Sequence, residues 1–312
     1  MTLTFFADGV ENPSNLARIR DAAELFGAKC APSIDGRLIA VENAKGARDI
    51  YGRRPLRGDA TLAVGNERRG LSRKTLARAD ETVVIPTLSR TVTTLNVAAA
   101  AAVAAWYLLR GSGAQAHTPK PEIRRPALLI IGDDHVEVGS SLRSAAAFGF
   151  RDVLLDDRGA GWFSGPASVR REALAAARRH KNPLRIYRGT LGSAAAFEEV
   201  VVVMPSEEAT PLQRTRLTHG RRQLVIVGAS SEDVAKLGAD RVRIATLDLE
   251  RVERAPLRLI ASIAMAEIAR QTGRRRPTPG QRLPRAPSYD LSLDLRQAGE
   301  VLFVEPSRLL EY

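Results

Sequence analysis

Short apolar runs alternate with amphipathic stretches along most of the 312 residues. Segment 1–6, "MTLTFF", predicts a strand, and "NLARIRDAAELFGA" (15–28) a helix closed by Gly27. "LIAVEN", "ATLAVGN" and "ETVVIP" predict short buried strands, and "LSRKTLARA" a helix with Ser72 as its N-cap. "NVAAAAAVAAWYLLR" predicts a helix made almost wholly of alanine, able to pack closely on its neighbours. Short buried strands separated by helices imply an α/β class with mainly parallel sheets.

The pattern then repeats. "TFFADGVENPSNLARIRDAAELFGA" is echoed by "ALLIIGDDHVEVGSSLRSAAAFGFRDVLL", with Phe26-Gly27 against Phe148-Gly149. "ATLAVGNERRGLSRKTLARADETVVIP" is echoed by "RQLVIVGASSEDVAKLGADRVRIATLD", and the alanine helix by "PLRLIASIAMAEIARQTG". Three matches in one order predict a duplicated domain. The second copy is about forty residues longer between its first two blocks, where it carries the basic segment "GWFSGPASVRREALAAARRHKNP". The boundaries predicted are a domain at 1–113, a linker at 114–125, a second domain at 126–273 and a basic, Pro-rich tail at 274–312. Within the tail, "EVLFVEPSRLLEY" could form a final strand.

Composition narrows the function. The chain has 47 Lys and Arg against 35 Asp and Glu, a net charge of +12 carried mostly by arginine. Such an excess suits phosphate and counterion-release binding to nucleic acid, although a proteome rich in arginine would give the same count. One cysteine excludes an internal disulfide and fits a reducing compartment. The four histidines lack ligand spacing, which predicts no metal site. No uncharged apolar run is long enough to span a membrane and no signal peptide is visible, so a cytoplasmic location is expected.

Three stretches carry candidate chemistry: "ENPSNLARIRDAAELFG", "LAVGNERRGLS" and "IPTLSRTVTTLNVAAAAA". In this order they resemble the three motifs of SPOUT-class (SpoU-type) RNA 2′-O-ribose methyltransferases. The resemblance covers most of residues 8–110 and, more weakly, 126–273. It implies two tandem α/β-knot (trefoil knot) domains, S-adenosylmethionine (SAM) as cofactor, and a tRNA or rRNA substrate. Family members are usually dimers with the active site at the subunit interface. A duplicated chain would then be an intramolecular pseudo-dimer, complete as a monomer.

Carried over position by position, the resemblance implies catalytic roles for Asn12, Glu67, Thr94 and Asn96. The cofactor would lie on loops containing Val64, Gly65, Asn66, Glu67 and Gly70, and on Ile85, Pro86, Leu88, Thr94, Leu95 and Asn96. Between Pro86 and Thr94 the chain is one residue longer than the family pattern and lacks its glycine. The motif-one arginine position falls on Asp21 in the first copy and on Arg143 in the second. One composite site is therefore expected, with SAM loops from copy one and the arginine from copy two. Substrate RNA is expected on Arg18, Arg20, Arg170, Arg171, Arg178 and Arg179. Two alternatives stand beside this: a catalytically silent RNA-binding scaffold, and methylation of a base instead of a ribose.

Overall fold

The computed structural model describes residues 2–112, 125–163, 171, 175–177, 182–206, 208–215, 217, 222–238, 242–250 and 255–272. The predicted linker, save Arg125, and the predicted tail with its final strand lie outside them, as does most of the basic segment of the second copy.

The first sheet is built from β1 (Leu3–Asp8), β2 (Lys29–Cys30), β3 (Leu38–Val41), β4 (Arg48–Asp49), β5 (Ala60–Gly65) and β6 (Glu81–Val84). Its order is β2-β1-β5-β3-β6-β4, and every pairing is parallel. The second sheet contains β7 (Ala127–Ile131), β8 (Asp152–Asp156), β9 (Arg185–Arg188), β10 (Glu199–Val203), β11 (Thr210–Pro211), β12 (Gln223–Val227) and β13 (Val242–Thr246). Its order is β11-β13-β10-β12-β7-β8-β9, again parallel throughout. Matched in chain order, the second sheet repeats the first strand for strand, and β9 is one extra strand outside β8. That strand falls within the insertion seen in the sequence.

Parallel strands covered on both faces read as continuous apolar runs rather than alternating ones. Strands β10 and β12 follow this rule, with all five residues of each buried, as does β5 up to Val64. Edge strand β2 is exposed along its length.

Helix α1 (Pro13–Glu24) starts two residues earlier than its apolar pattern predicts and ends before Gly27. Asn12 sets the start: its side chain accepts hydrogen bonds from the backbone N–H of Ser14 and Asn15, with Pro13 at the first helical position. Helix α2 (Arg73–Arg78) is capped by Ser72, whose hydroxyl accepts from Thr75 N–H at 3.2 Å. Helix α3 (Val97–Arg110) packs against α1 and β5. Val97–Ala99 and Ala101–Leu108 are all buried, and Trp106 and Tyr107 meet edge to face at 4.8 Å. Alanine makes this burial possible because the helix backbone can lie close to its neighbours on nearly every side.

Helix α4 (His135–Ala147) repeats the design of α1. Asp134 accepts from Val136 and Glu137 N–H as Asn12 does from Ser14 and Asn15. Both helices close on a glycine of positive φ, Gly27 at 61° and Gly149 at 75°, where a side chain would be strained.

The chain packs as two compact units that do not follow the sequence boundaries. Among described residues, the first holds those up to Pro86, then Leu95 through α3, and Asp248–Ile263. The second holds Thr87–Thr94, Arg125–Leu247 and the residues from Ala264. Within the second unit, Leu88 N–H donates to Ala147 O at 2.7 Å. Within the first, Glu250 N–H donates to Leu25 O at 2.9 Å. Leu25 precedes Gly27 as Ala147 precedes Gly149, so each first-motif helix has its terminal carbonyl satisfied by a loop of the other copy's sequence.

The cap at Asn12 has a measurable value. Asn12→Ala should destabilise the protein by about 1 kcal/mol, read as a lower midpoint in urea unfolding with an unchanged slope. An unchanged midpoint would mean that the cap contributes nothing.

Candidate active site

Strand β5 delivers the chain to a tight turn at residues 66–70. Asn66 and Gly70 exchange both backbone hydrogen bonds, at 3.0 and 2.8 Å. The Asn66 side-chain oxygen accepts from Arg68 and Arg69 N–H, and its Nδ2 donates to Gly9 O at 2.8 Å. Gly70 has φ 69°, and a Cβ on Gly65 would stand 2.2 Å from the Gly70 carbonyl carbon. The turn therefore closes only with backbone facing backbone. It presents Glu67, half-buried, toward α1.

The turn is pinned from both sides. Glu42 accepts from Leu71 N–H at 2.8 Å, and Asp8 from Ser72 N–H at 2.7 Å. Burial pushes the Asp8 carboxyl up, but hydrogen bonds from the Ser72 backbone and the Thr75 and Ser72 hydroxyls outweigh it and hold the group below its ordinary value.

All three motifs meet at Asn15. Its Nδ2 donates to Glu67 Oε1, and its Oδ1 accepts from Asn96 Nδ2 at 3.1 Å. Asn96 is buried and its own Oδ1 accepts from Ala98 N–H at 3.0 Å, capping α3. Motif one, motif two and motif three are thus joined in one hydrogen-bonded line, Glu67–Asn15–Asn96–α3, inside the first unit.

The two asparagines of motif one are placed differently. Asn12 is exposed and its side chain caps α1; the motif-one asparagine that joins Glu67 and Asn96 is Asn15. The signal was legible, because an asparagine directly before a proline at a helix start reads as an N-cap. The asparagine one turn inside the helix, Asn15, is the one bonded to Glu67 and Asn96.

In the second unit, Arg143 is 7% exposed on α4 and grips Thr94. Its Nε donates to Thr94 O at 2.9 Å and its Nη2 to Thr94 Oγ1 at 2.8 Å. The loop carrying Thr94 is held to the end of α4 by the bonds from Leu88 and Ser89 N–H to Ala147 O. In the first unit the corresponding position is Asp21, paired with Arg18 at 2.8 Å on a half-exposed face.

The remaining predicted positions divide as follows. Val64, Ile85 and Leu95 are buried, while Pro86 and Leu88 are half-buried. Arg18 is engaged by Asp21; Arg20 and Arg171 are exposed; Arg170, Arg178 and Arg179 lie outside the described residues. Where the first copy has its Glu67 turn, the second has a helix capping box between Ser230 and Asp233. Asp233 is 4% exposed and bonds Arg158 at 2.6 Å. That bond raises the Arg158 pKa, while Asp233, lifted by burial, is brought below its ordinary value by Arg158 and Ser230. Among the described residues no group of acidic, cysteine and histidine side chains could hold a metal ion, and no helix is long and apolar enough to cross a membrane.

Residues 29–106 match the SpoU rRNA Methylase family. No curated protein matches the chain. Among solved structures it is similar to the TrmH/SpoU tRNA modifying enzyme of A. aeolicus, at 12% identity over 48% of this chain and 77% of that one, TM-score 0.35. It is also similar to the SpoU methyltransferase AviRb of Streptomyces viridochromogenes, at 11% identity over 84% and 88%, TM-score 0.35. A third is an rRNA methyltransferase of Sinorhizobium meliloti, at 12% over 69% and 73%, TM-score 0.33.

The bonds to Asp8 give a pH-dependent prediction. A carboxyl whose folded pKa is depressed stabilises the fold above its unfolded pKa, and that stability is lost as pH falls through the folded value. Asp8→Asn should therefore lower the melting temperature at pH 7, and the gap to the parent should shrink as pH drops below about 4. A gap independent of pH would show that the Asp8 charge has no part in pinning the turn.

Proposed function

We propose that the protein is a SAM-dependent RNA methyltransferase that acts on a ribose 2′-hydroxyl, through one composite site in a knotted pseudo-dimer. The observation that carries this reading is the convergence of all three motifs on Asn15. A chain that needed only a helix cap at Asn96 would have no use for Glu67 and Asn15 aligned behind it.

The residues at this point suit the cofactor. The Gly65–Gly70 turn leaves no room for added side chains, and β6 leads through Ile85 and Pro86 to the capped start of α3. Backbone loops of this kind offer N–H and C=O groups to the polar edges of an adenine and a ribose. When bound, SAM supplies an electrophilic methyl group on a positively charged sulfur. Val64, Gly65, Asn66, Gly70, Ile85, Pro86, Leu88 and Leu95 would hold it, with Glu67 and Asn96 fixed by Asn15.

The acceptor hydroxyl is a weak nucleophile, so its proton must leave or be strongly polarised. Arg143 is fitted to that need as an electrostatic group rather than a base, since a guanidinium stays charged. Held on Thr94, it can grip an RNA phosphate and stabilise the developing alkoxide. Thr94 stands two residues before Asn96, at most about 7 Å away along the backbone. The first copy's Asp21, engaged by Arg18, offers no equivalent cation, which leaves one working site per chain.

Arg143→Ala should lower the rate of methyl transfer to RNA about 10²-fold or more, while calorimetric titration still finds one SAM per chain at nearly unchanged affinity. Because Arg143 is buried, Arg143→Lys and Thr94→Ala serve as milder variants with the same direction of effect. Full transfer activity in Arg143→Ala, or two SAM sites per chain, would overturn the composite site. A parent chain that binds no SAM, with or without bulk RNA, would overturn the methyltransferase reading.

A further inference from the structure

The motif-two turn runs directly into a stretch of uncompensated positive charge. Arg68 and Arg69 lie on the turn, and Arg73, Lys74 and Arg78 on α2; all five are exposed. Among the described residues only Arg69 is ion-paired, to the exposed Glu11. Arg68, Arg73, Lys74 and Arg78 have no ion pair among the described residues. The acidic residues of the same stretch are engaged elsewhere, Glu67 with Asn15 and Asp80 with Leu38 N–H.

The second copy supplies an internal control. From Gly65 to Asp80 the first copy has five basic and two acidic residues; from Gly228 to Arg241 the second has two basic and three acidic. The two segments join corresponding strands of sheets with the same order, β5 to β6 and β12 to β13. A proteome-wide excess of arginine would have raised both. The net excess of positive charge is instead found in the copy in which the three motifs meet, and its chain is continuous with Glu67.

We infer that the strip Arg68–Arg69–Arg73–Lys74–Arg78 is the docking surface for the phosphate backbone of the substrate RNA. This rests on the methyltransferase reading and names the face of the molecule that receives its substrate. The strip is built for a polyanion rather than for base edges: its charges are long and exposed, and all but that of Arg69 have no ion pair among the described residues, which favours counterion release over sequence readout. It differs from the surfaces expected from sequence, which lay on α1 and on the basic segment of the second copy.

The test is the triple variant Arg73→Glu/Lys74→Glu/Arg78→Glu in the full chain, with Lys236→Glu as the control in the second copy. Binding of a bulk tRNA and rRNA fraction is measured across a salt series, and SAM binding by calorimetry on the same samples. The triple variant should melt like the parent and bind SAM like the parent, yet lose RNA affinity at least tenfold. Its dependence of log affinity on log salt should flatten by about two, as three phosphate contacts are removed. Lys236→Glu should change neither. RNA affinity unchanged in the triple variant, or no RNA binding by the parent, would overturn the docking surface. A parent that binds RNA through the strip but takes no SAM would keep the surface and remove the methyltransferase reading.

Discussion

The structure of the candidate site depends on one buried side chain. Asn96 is 8% exposed and must satisfy both ends of its amide without water. Its oxygen takes the Ala98 N–H that the start of α3 leaves unpaired, so its nitrogen can only point away, toward Asn15. Asn15 in turn has its own nitrogen directed at Glu67. One helix cap therefore fixes the orientation of two further polar residues, drawn from parts of the chain eighty-one and fifty-two positions apart from their partners. A helix with bulkier residues than alanine behind its cap could not bring that N-terminus so far into the interior.

Much of this could be read from the sequence, and the reasons are physical. Apolar runs such as "QLVIV" and "EVVVV" leave little choice but a doubly covered parallel strand, and Ser72 before a basic helix reads as a cap. Glu67 and Asn96 were legible as candidates because the turn and the capped helix around them are local features. Asn15 was missed because two asparagines stand three residues apart at one helix start. Choosing between them needed the rule that the residue before Pro13 spends its side chain on the cap. The grouping of Thr87–Thr94 with the second unit could not be read at all. It follows from tertiary bonds, Leu88 to Ala147 and Arg143 to Thr94, that no local pattern encodes.

The two copies treat corresponding polar positions differently. The sheet order is kept, because it is enforced by continuous apolar strands that cannot drift without loss of the core. The polar positions have changed, and two of them have partners within the chain. Asp21 carries Arg18, and the place of the Glu67 turn has become a capping box tied to Arg158. Buried or half-buried polar groups are costly when unpaired. A residue released from a ligand therefore either disappears or acquires a partner from its own chain. By that logic, exposed charge that nothing among the described residues neutralises points to the external partner proposed above. Arg73, Lys74 and Arg78 meet this description on the first copy; the corresponding helix of the second, with Asp233 bound to Arg158, does not.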